Sequence, residues 1–178
     1  MIASLIENSN KINILKGLLN KYDNNHVLII GHFLSQLEEI SKIFGVPLIT
    51  GETPNNEREK LYNDFRKGDI KTLAISRVGN FSIDLPLADV AIQLSGIFGS
   101  RQEEAQRLGR ILRPQGGKSY FYTLVSKDTI EEEFARKRQI FLIEQGYQYN
   151  IIDLNINDGI INDSFPVHIG NEAIDFLR

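Results

Sequence analysis

Residues 27–49 have the sequence VLIIGHFLSQLEEISKIFGVPLI, and this stretch decides the fold. It begins with a compact apolar run, residues 27–30, which is typical of a strand buried on both faces of a parallel sheet. Residues 34–44 carry apolar side chains at helical spacing, and Gly45 is placed to end that helix. A second short apolar run follows at residues 46–49. The stretch therefore predicts a strand–helix–strand unit of the kind that joins parallel strands.

The same alternation extends in both directions along the chain. The patterns predict one or two helices within residues 2–22 and further helices at residues 53–67, 101–112 and 126–146. They predict strands at residues 72–75, 90–94 and 119–125. The long helix at 126–146 is predicted to turn five apolar side chains toward the core: Ile130, Phe134, Ile140, Phe141 and Ile143. Strands that alternate with helices indicate an α/β fold, with a parallel sheet covered by helices on both faces.

The composition excludes several classes of protein. The chain of 178 residues has 20 Lys and Arg against 23 Asp and Glu, a net charge of −3, and no Cys. Disulfides and thiolate metal sites are therefore excluded, and nucleic acid could be bound only through a local patch. No apolar run approaches the roughly 20 residues that cross a bilayer, and no signal peptide is visible. We expect an intracellular domain with no metal site of its own and no membrane partner, cytoplasmic in a prokaryote and nuclear in a eukaryote.

The last part of the chain differs in character. Residues 151–178 carry five acidic side chains against one Arg, yet they remain rich in Ile, Leu and Phe. The sequence Asn-Asp-Gly at residues 157–159 is typical of a hairpin turn. We therefore expect a main domain at residues 1–150 and an acidic, apolar tail at residues 151–178 that forms a hairpin or binds a partner.

The most informative segment is GSRQEEAQRLGRILRP, residues 99–114. Arg107, Arg110 and Arg113 recur every three residues, so they advance along one side of the predicted helix. Planar guanidinium groups that remain ionised suit a polyphosphate. The alternative is a solvated basic helix face, but Gly109 within the helix favours a site that another backbone or a ligand approaches closely.

A second segment, SRVGNFSIDLP at residues 76–86, follows a predicted strand. Open α/β sheets place their binding loops at this position. Gly79 allows a tight turn, and Asp84 is a carboxylate among apolar neighbours. The alternative is a plain connection in which Asp84 caps the next element.

Together the two segments resemble a known family. Residues 106–113, QRLGRILR, resemble motif VI of superfamily 2 helicases, and residues 76–86 resemble their motif V. Two longer segments narrow the resemblance to the C-terminal helicase domain of the XPB family. They are IDLPLADVAIQLSGIFGSRQEEAQRLGRILRP and YFYTLVSKDTIEEEFARKRQIFLIEQGY. ITGETPNNEREKLYNDFRKGD, residues 49–69, resembles the family's segment between motifs IV and V, so the resemblance covers roughly residues 25–150.

The resemblance implies a RecA-like second domain of an ATP-dependent 3′–5′ DNA helicase or translocase. ATP and Mg²⁺ would bind in a cleft shared with a first RecA-like domain, which carries the phosphate loop; this chain has no GxxxxGK[ST] sequence. Gln106 would place the attacking water or the γ-phosphate, and Arg110 and Arg113 would be arginine fingers. Arg107 would hold motif VI to neighbouring carboxylates such as Asp84.

The resemblance also implies contacts to DNA. Gly79 and Asp84 would couple the nucleotide to the DNA strand. Contacts would be made to backbone phosphates rather than base edges. The candidates follow three predicted strands: Gly31, His32, Phe33, Thr50, Gly51, Thr53, Ser76 and Arg77.

Other functions compete with this interpretation. The chain could be a free-standing RecA-like module that binds DNA or protein without catalysis, or part of another superfamily 2 translocase. The three arginines together with Gln106 favour the catalytic alternative, since a pure binding module does not need them. Further partners implied by the resemblance are a nuclease or a repair and transcription complex.

Overall fold

The alternation of strands and helices is present as the sequence predicts. The computed structural model describes residues 9–76, 88–94, 119–126, 129–144, 148–152 and 173–177. In chain order the elements are α1 (Ser9–Lys21), β1 (Val27–Gly31), α2 (Leu34–Phe44), β2 (Leu48–Ile49), α3 (Asn55–Lys67), β3 (Thr72–Ser76), β4 (Val90–Gln93), β5 (Tyr120–Leu124), α4 (Ile130–Glu144), β6 (Gln148–Ile152) and β7 (Ala173–Leu177). The helix predicted at residues 101–112 lies outside the described residues.

The strands form one parallel sheet. In the described residues it has seven strands in the order β2-β3-β1-β4-β5-β7-β6, and each neighbouring pair is parallel. β1 is central to the first five strands, paired with β3 on one side and β4 on the other. The predicted α/β fold with a parallel sheet is confirmed.

Alternate side chains of β1 pack into two separate hydrophobic cores. Val27 and Ile29 pack with α1 and α2 in one cluster, whereas Leu28 and Ile30 pack with α3 in another. This follows from the two-residue period of a strand, which sends neighbouring side chains to opposite faces. Helices therefore cover both faces of the sheet, as the apolar run at residues 27–30 predicts.

The second strand is shorter than its sequence predicts. β2 contains Leu48 and Ile49 only, because the amide of Val46 is used by the end of α2 and donates to the Ser41 carbonyl at 3.2 Å. Gly45 takes a left-handed conformation there, with φ of 65°, which ends α2 as expected. Pro47 has no amide hydrogen, and its carbonyl accepts from Ala74 of β3.

The predicted core face of the long helix is wrong. Ile130, Phe134, Ile140 and Ile143 are 60, 37, 53 and 52% exposed, and the side chain of Phe141 lies outside the description. α4 instead buries Glu131 and Ala135, which are one turn apart. On this buried face Glu131 accepts a hydrogen bond from Nζ of Lys11 in α1.

The end of the chain contributes to the same sheet. β6 crosses residue 150, and β7 lies between β5 and β6, with Tyr120 of β5 opposite Ala173. The turn predicted at residues 157–159 lies outside the described residues. The division of the chain at residue 150 stays a prediction.

Gly31 allows α2 to pack closely on the end of β1. A methyl group at this position would lie 2.8 Å from Cγ and Cδ2 of Leu37, which is fully buried in the core. Contacts this short require a shift in a core that is already densely packed.

We expect Gly31→Ala to lower the free energy of unfolding by about 1–3 kcal/mol, because the added methyl overpacks the core against Leu37. Urea denaturation followed by circular dichroism measures this. Leu37→Ala alone should cost about 2–5 kcal/mol. In that background Gly31→Ala should cost little, and an equal cost in both backgrounds would contradict the close contact.

Candidate functional site

The carboxyl ends of three strands lie side by side. Gly31 at the end of β1 is opposite Ser76 at the end of β3, and Ile49 of β2 is opposite Ile75. Thr50, which follows β2, is therefore next to Ser76 at the same edge of the sheet. Parallel strands place their following loops at one edge, which is where open α/β sheets bind ligands.

Seven of the eight residues predicted to contact DNA are thus placed on one edge of the sheet. His32 and Gly51 are exposed; Phe33, Thr50 and Thr53 are half-buried; Gly31 and Ser76 are buried. Arg77, the eighth, lies outside the described residues.

The loop between β2 and α3 is held by its own hydrogen bonds. The amide of Thr50 donates to Oγ1 of Thr53 at 2.9 Å, and the amide of Glu52 donates to Oγ1 of Thr50 at 3.1 Å. Both hydroxyl oxygens therefore act as acceptors within the loop. Among the described residues, the acceptor found for these two hydroxyls is the other hydroxyl, 3.5 Å away, so an O–H of this loop can donate to a ligand oxygen.

Arg58 fixes this loop from one turn inside α3. Its Nη2 donates to the carbonyl of Thr50 at 3.1 Å and to the carbonyl of Thr53 at 3.2 Å. The sequence analysis did not single out Arg58. The available signal was its position: a cation in the first turns of a helix can reach back to the carbonyls of the preceding loop.

The start of α2 lies at the same edge. Phe33 occupies the capping position and makes no side-chain hydrogen bond to the helix, so its side chain does not satisfy the first amides of α2. Such a helix start attracts anions through its free amides and its dipole.

Two buried polar side chains are associated with this edge. Gln36 in the first turn of α2 and Ser76 at the end of β3 are 5 and 6% exposed. Within the described part of the chain, Oε1 of Gln36 and Oγ of Ser76 have no hydrogen-bond partner. Buried polar atoms are nearly always satisfied, so both are consistent with a polar ligand at this edge.

A buried ion pair lies at the end of β4. Nζ of Lys11 is 2.6 Å from Oε2 of Glu131, and both side chains are almost fully buried. Burial lowers the pKa of Lys11, and the charge and hydrogen bond of Glu131 oppose this effect. Neither residue was predicted from the sequence. Lys11 carried a signal, since it precedes Leu15 and Leu18 by four and seven residues and so lies on the apolar stripe of α1.

The predicted nucleotide residues lie outside the described residues. These are Gly79, Asp84, Gln106, Arg107, Arg110 and Arg113. The first two follow β3, and the other four lie between β4 and β5 in the sequence. β3 and β4, the strands that precede these two segments, both end at the edge that carries Gly31, Thr50 and Ser76.

Comparison with known proteins identifies the family. The profile of the ERCC3/RAD25/XPB C-terminal helicase matches residues 3–168. The chain belongs to this XPB family. The resemblance found in the sequence is thereby confirmed.

Two bacterial relatives show the extent of the similarity. The chain is 53% identical over 145 residues to the DNA 3′-5′ helicase XPB of Mycobacterium tuberculosis, and 49% identical over 156 residues to that of Kineococcus radiotolerans. These alignments cover 80 and 86% of the chain but only 26 and 28% of the relatives. The chain thus spans about a quarter of the length of these XPB proteins.

A eukaryotic relative and two solved structures extend the comparison. The general transcription and DNA repair factor IIH helicase/translocase subunit XPB/SSL2 of Saccharomyces cerevisiae is 44% identical over 71% of the chain and 16% of its own length. The C-terminal part of the Fun30 ATPase domain is 29% identical, with a TM-score of 0.56 over 71% of this chain and 44% of that one. The C-terminal domain of the DEAD-box protein Dbp5 is 19% identical, with a TM-score of 0.66 over 76 and 80% of the two chains, and supports the RecA-like fold alone.

Two further features are absent from the described residues. None of their helices combines the length and apolar character needed to cross a membrane. They contain no group of three or more His, Cys, Asp or Glu side chains that could hold a metal ion.

We expect Arg58→Ala to loosen the loop at residues 50–53, because two carbonyls lose a charged donor. The cost in unfolding free energy should be about 1.5–3 kcal/mol, the range for hydrogen bonds to charged groups. Hydrogen exchange should rise at the amides of Glu52 and Thr53. Lys60→Ala, at an exposed position of the same helix, is the matched control, and equal behaviour of the two variants would contradict the role of Arg58.

Proposed function

We propose that the chain is the second RecA-like half of an ATP-driven 3′–5′ DNA helicase or translocase that acts within the cell in DNA repair or transcription. The observation that carries the proposal is membership of the XPB family over residues 3–168. The relatives named above as DNA 3′-5′ helicases support the activity.

ATP with Mg²⁺ would bind between this domain and a first RecA-like domain that carries the phosphate loop. Gln106 would orient the attacking water, and Arg110 and Arg113 would stabilise the charge that develops on the transferred phosphoryl group. Arg107 would hold this helix in place. The place of these residues in the sequence supports the assignment, since their segment follows β4, which ends at Gln93.

Motif V would link the nucleotide to the DNA. Gly79 and Asp84 would respond to the nucleotide, and their segment follows Ser76 directly. The same strand end would therefore face DNA through Ser76 and Arg77 and approach the nucleotide through Gly79 and Asp84.

DNA phosphates would bind along the edge formed by the ends of β1, β2 and β3. The free amides at the start of α2, beside Gly31 and His32, would hold one phosphate. The hydroxyls of Thr50 and Thr53, with Gly51 between them, would donate to another. Because Arg58 fixes this loop before DNA arrives, binding would require little further ordering.

The larger assembly follows from the same proposal. The chain would work with a first RecA-like domain, and with either a nuclease or a repair and transcription complex. The yeast relative is named as a subunit of a general transcription and DNA repair factor, which supports the second partner.

The chain alone should not hydrolyse ATP, and it should do so when a phosphate-loop domain of the family is supplied together with DNA. In that complex Arg110→Ala or Arg113→Ala should lower kcat by about 10³–10⁵ with a small effect on ATP binding, because arginine fingers act on transition-state charge. Arg→Lys should not restore turnover, since an ammonium lacks the planar fork.

The matched control for turnover is Arg66→Ala, which removes an exposed guanidinium from the last turn of α3. Near-normal turnover of the Arg110 and Arg113 variants would show that these residues form a solvated helix face. DNA binding without any hydrolysis in the complex would favour the free-standing binding module.

DNA binding by the chain should be weak, salt-sensitive and indifferent to sequence, since few phosphates are contacted. The logarithm of affinity should fall by about 0.7 per contacted phosphate for each tenfold rise in salt on single strands. Thr53→Val and Arg77→Ala should each lower the affinity for DNA by a similar factor whatever the base sequence of the DNA. Lys67→Ala, at the far end of α3, is the control in fluorescence-anisotropy titrations, and tight binding to one sequence only would contradict the proposal.

A further inference from the structure

A groove opens at the amino-terminal edge of the sheet, opposite to the edge that carries Gly31 and Ser76. It has a volume of about 530 Å³ and lies between the end of α1, the end of α2 with its following loop, and the start of β3. Leu19, Phe44 and Ile70 give it apolar walls. Pockets that bind ligands typically have volumes of about 300–1,000 Å³, so the groove is large enough to hold a ligand.

The first residue of β3 turns its backbone toward this groove. Lys71, just before it, faces β1, because the carbonyl of Lys71 accepts from the amide of Val27 at 2.8 Å. Successive residues of a strand direct their amide and carbonyl groups to opposite sides, so Thr72 faces the side of β2. The register of β2 against β3 places Val46 opposite Thr72. A strand partner for Thr72 would therefore have to come from the loop around Val46.

That loop does not pair with Thr72. In a parallel ladder Thr72 would donate to the carbonyl of Gly45 and accept from the amide of residue 47. Residue 47 is a proline and has no amide hydrogen, and Gly45 has the left-handed conformation that ends α2. Val46 is held by Ser41 of α2, whose Oγ donates to the Val46 carbonyl at 2.6 Å. Among the described residues no backbone hydrogen bond joins Thr72 to this loop, so its amide and carbonyl face the groove.

The groove also carries a carboxylate without a cationic partner. Asp23 lines it and is exposed, and its Oδ1 accepts from Nδ2 of Asn24 at 2.8 Å. Asp23 takes part in none of the ion pairs among the described residues. Lys71 lines the groove too, but its ammonium is turned toward the end of α3, where Nζ would lie 3.4 Å from a methyl group at Gly68. The groove therefore favours a basic side chain over an acidic one.

We propose that this groove binds a short extended segment of a partner protein that carries a Lys or Arg side chain. An extended backbone presents a carbonyl and an amide at the spacing that the amide and carbonyl of Thr72 require, which is how a peptide adds to the edge of a sheet. Leu19, Phe44 and Ile70 would receive its apolar side chains, and Asp23 its basic one. The site lies at the edge opposite to the proposed DNA contacts, and the inference does not depend on the proposed helicase activity.

The probe is a phage-displayed library of random heptapeptides, selected against the full 178-residue chain. We expect the selected peptides to combine apolar residues with a Lys or Arg, and we expect synthetic copies to bind in fluorescence-anisotropy titrations. Asp23→Lys should weaken their binding about tenfold, because it replaces an attraction by a repulsion. Asp69→Lys, at an exposed position of the same edge outside the groove, is the matched control and should bind as the wild type does.

The backbone pairing is tested by hydrogen exchange at single amides, followed by NMR. In the free chain the Thr72 amide should exchange faster than those of Leu73, which pairs with β1, and Ala74, which donates to the Pro47 carbonyl. A bound peptide should slow exchange at Thr72 about tenfold or more, because the amide gains a carbonyl partner. Leu73 and Ala74 should exchange at the same rates with and without the peptide.

Several results would overturn the inference. One is a selection that yields no peptide, or peptides that Asp23→Lys and Asp69→Lys affect equally. Another is unchanged exchange at Thr72 in the bound state. Displacement of the peptide by a DNA oligonucleotide would place it at the opposite edge of the sheet. Dimerisation of the chain that Asp23→Lys abolishes, with no peptide bound, would assign the groove to a second copy.

Discussion

Parallel pairing along both edges of β1 is the constraint on which the rest of the structure depends. Because β3 and β4 both run parallel to β1, their carboxyl ends are brought to one edge. The start of α2 lies at that edge. The loop after β2 lies there too, because β2 runs parallel to β3. A reversed neighbour would send its following loop to the opposite edge and separate residues such as Gly31 and Ser76, which the register places side by side.

The local parts of the fold were predictable from the sequence. The apolar run in β1, the period of α2 and the terminal Gly45 depend on neighbours a few residues away, and the structure confirms them. The start of β2 was predicted less well, because the Val46 amide has two possible partners and the end of α2 takes it. The pattern of apolar residues alone does not show whether this amide pairs with a neighbouring strand or with a carbonyl of the helix.

The candidate site divides in the same way. That several strands end at one edge follows from the α/β alternation, so the grouping of His32, Thr50 and Ser76 could be anticipated. The support given by Arg58 and Lys11 could not, since it depends on which carbonyl each cation reaches after folding. The orientation of α4 shows why such contacts matter. The apolar pattern predicts that Phe134 faces the core, whereas in the structure Glu131, the buried partner of Lys11, faces the core and Phe134 is 37% exposed.

The Lys11–Glu131 pair has a consequence for how the molecule responds to temperature. The hydration of charged groups becomes less favourable on warming, so the cost of keeping this pair out of water decreases. Apolar contacts such as those around β1 do not strengthen in the same way at high temperature. On heating, the desolvation cost of the link between α1 and the end of β4 should therefore fall, while the contribution of the apolar packing around it stays about level.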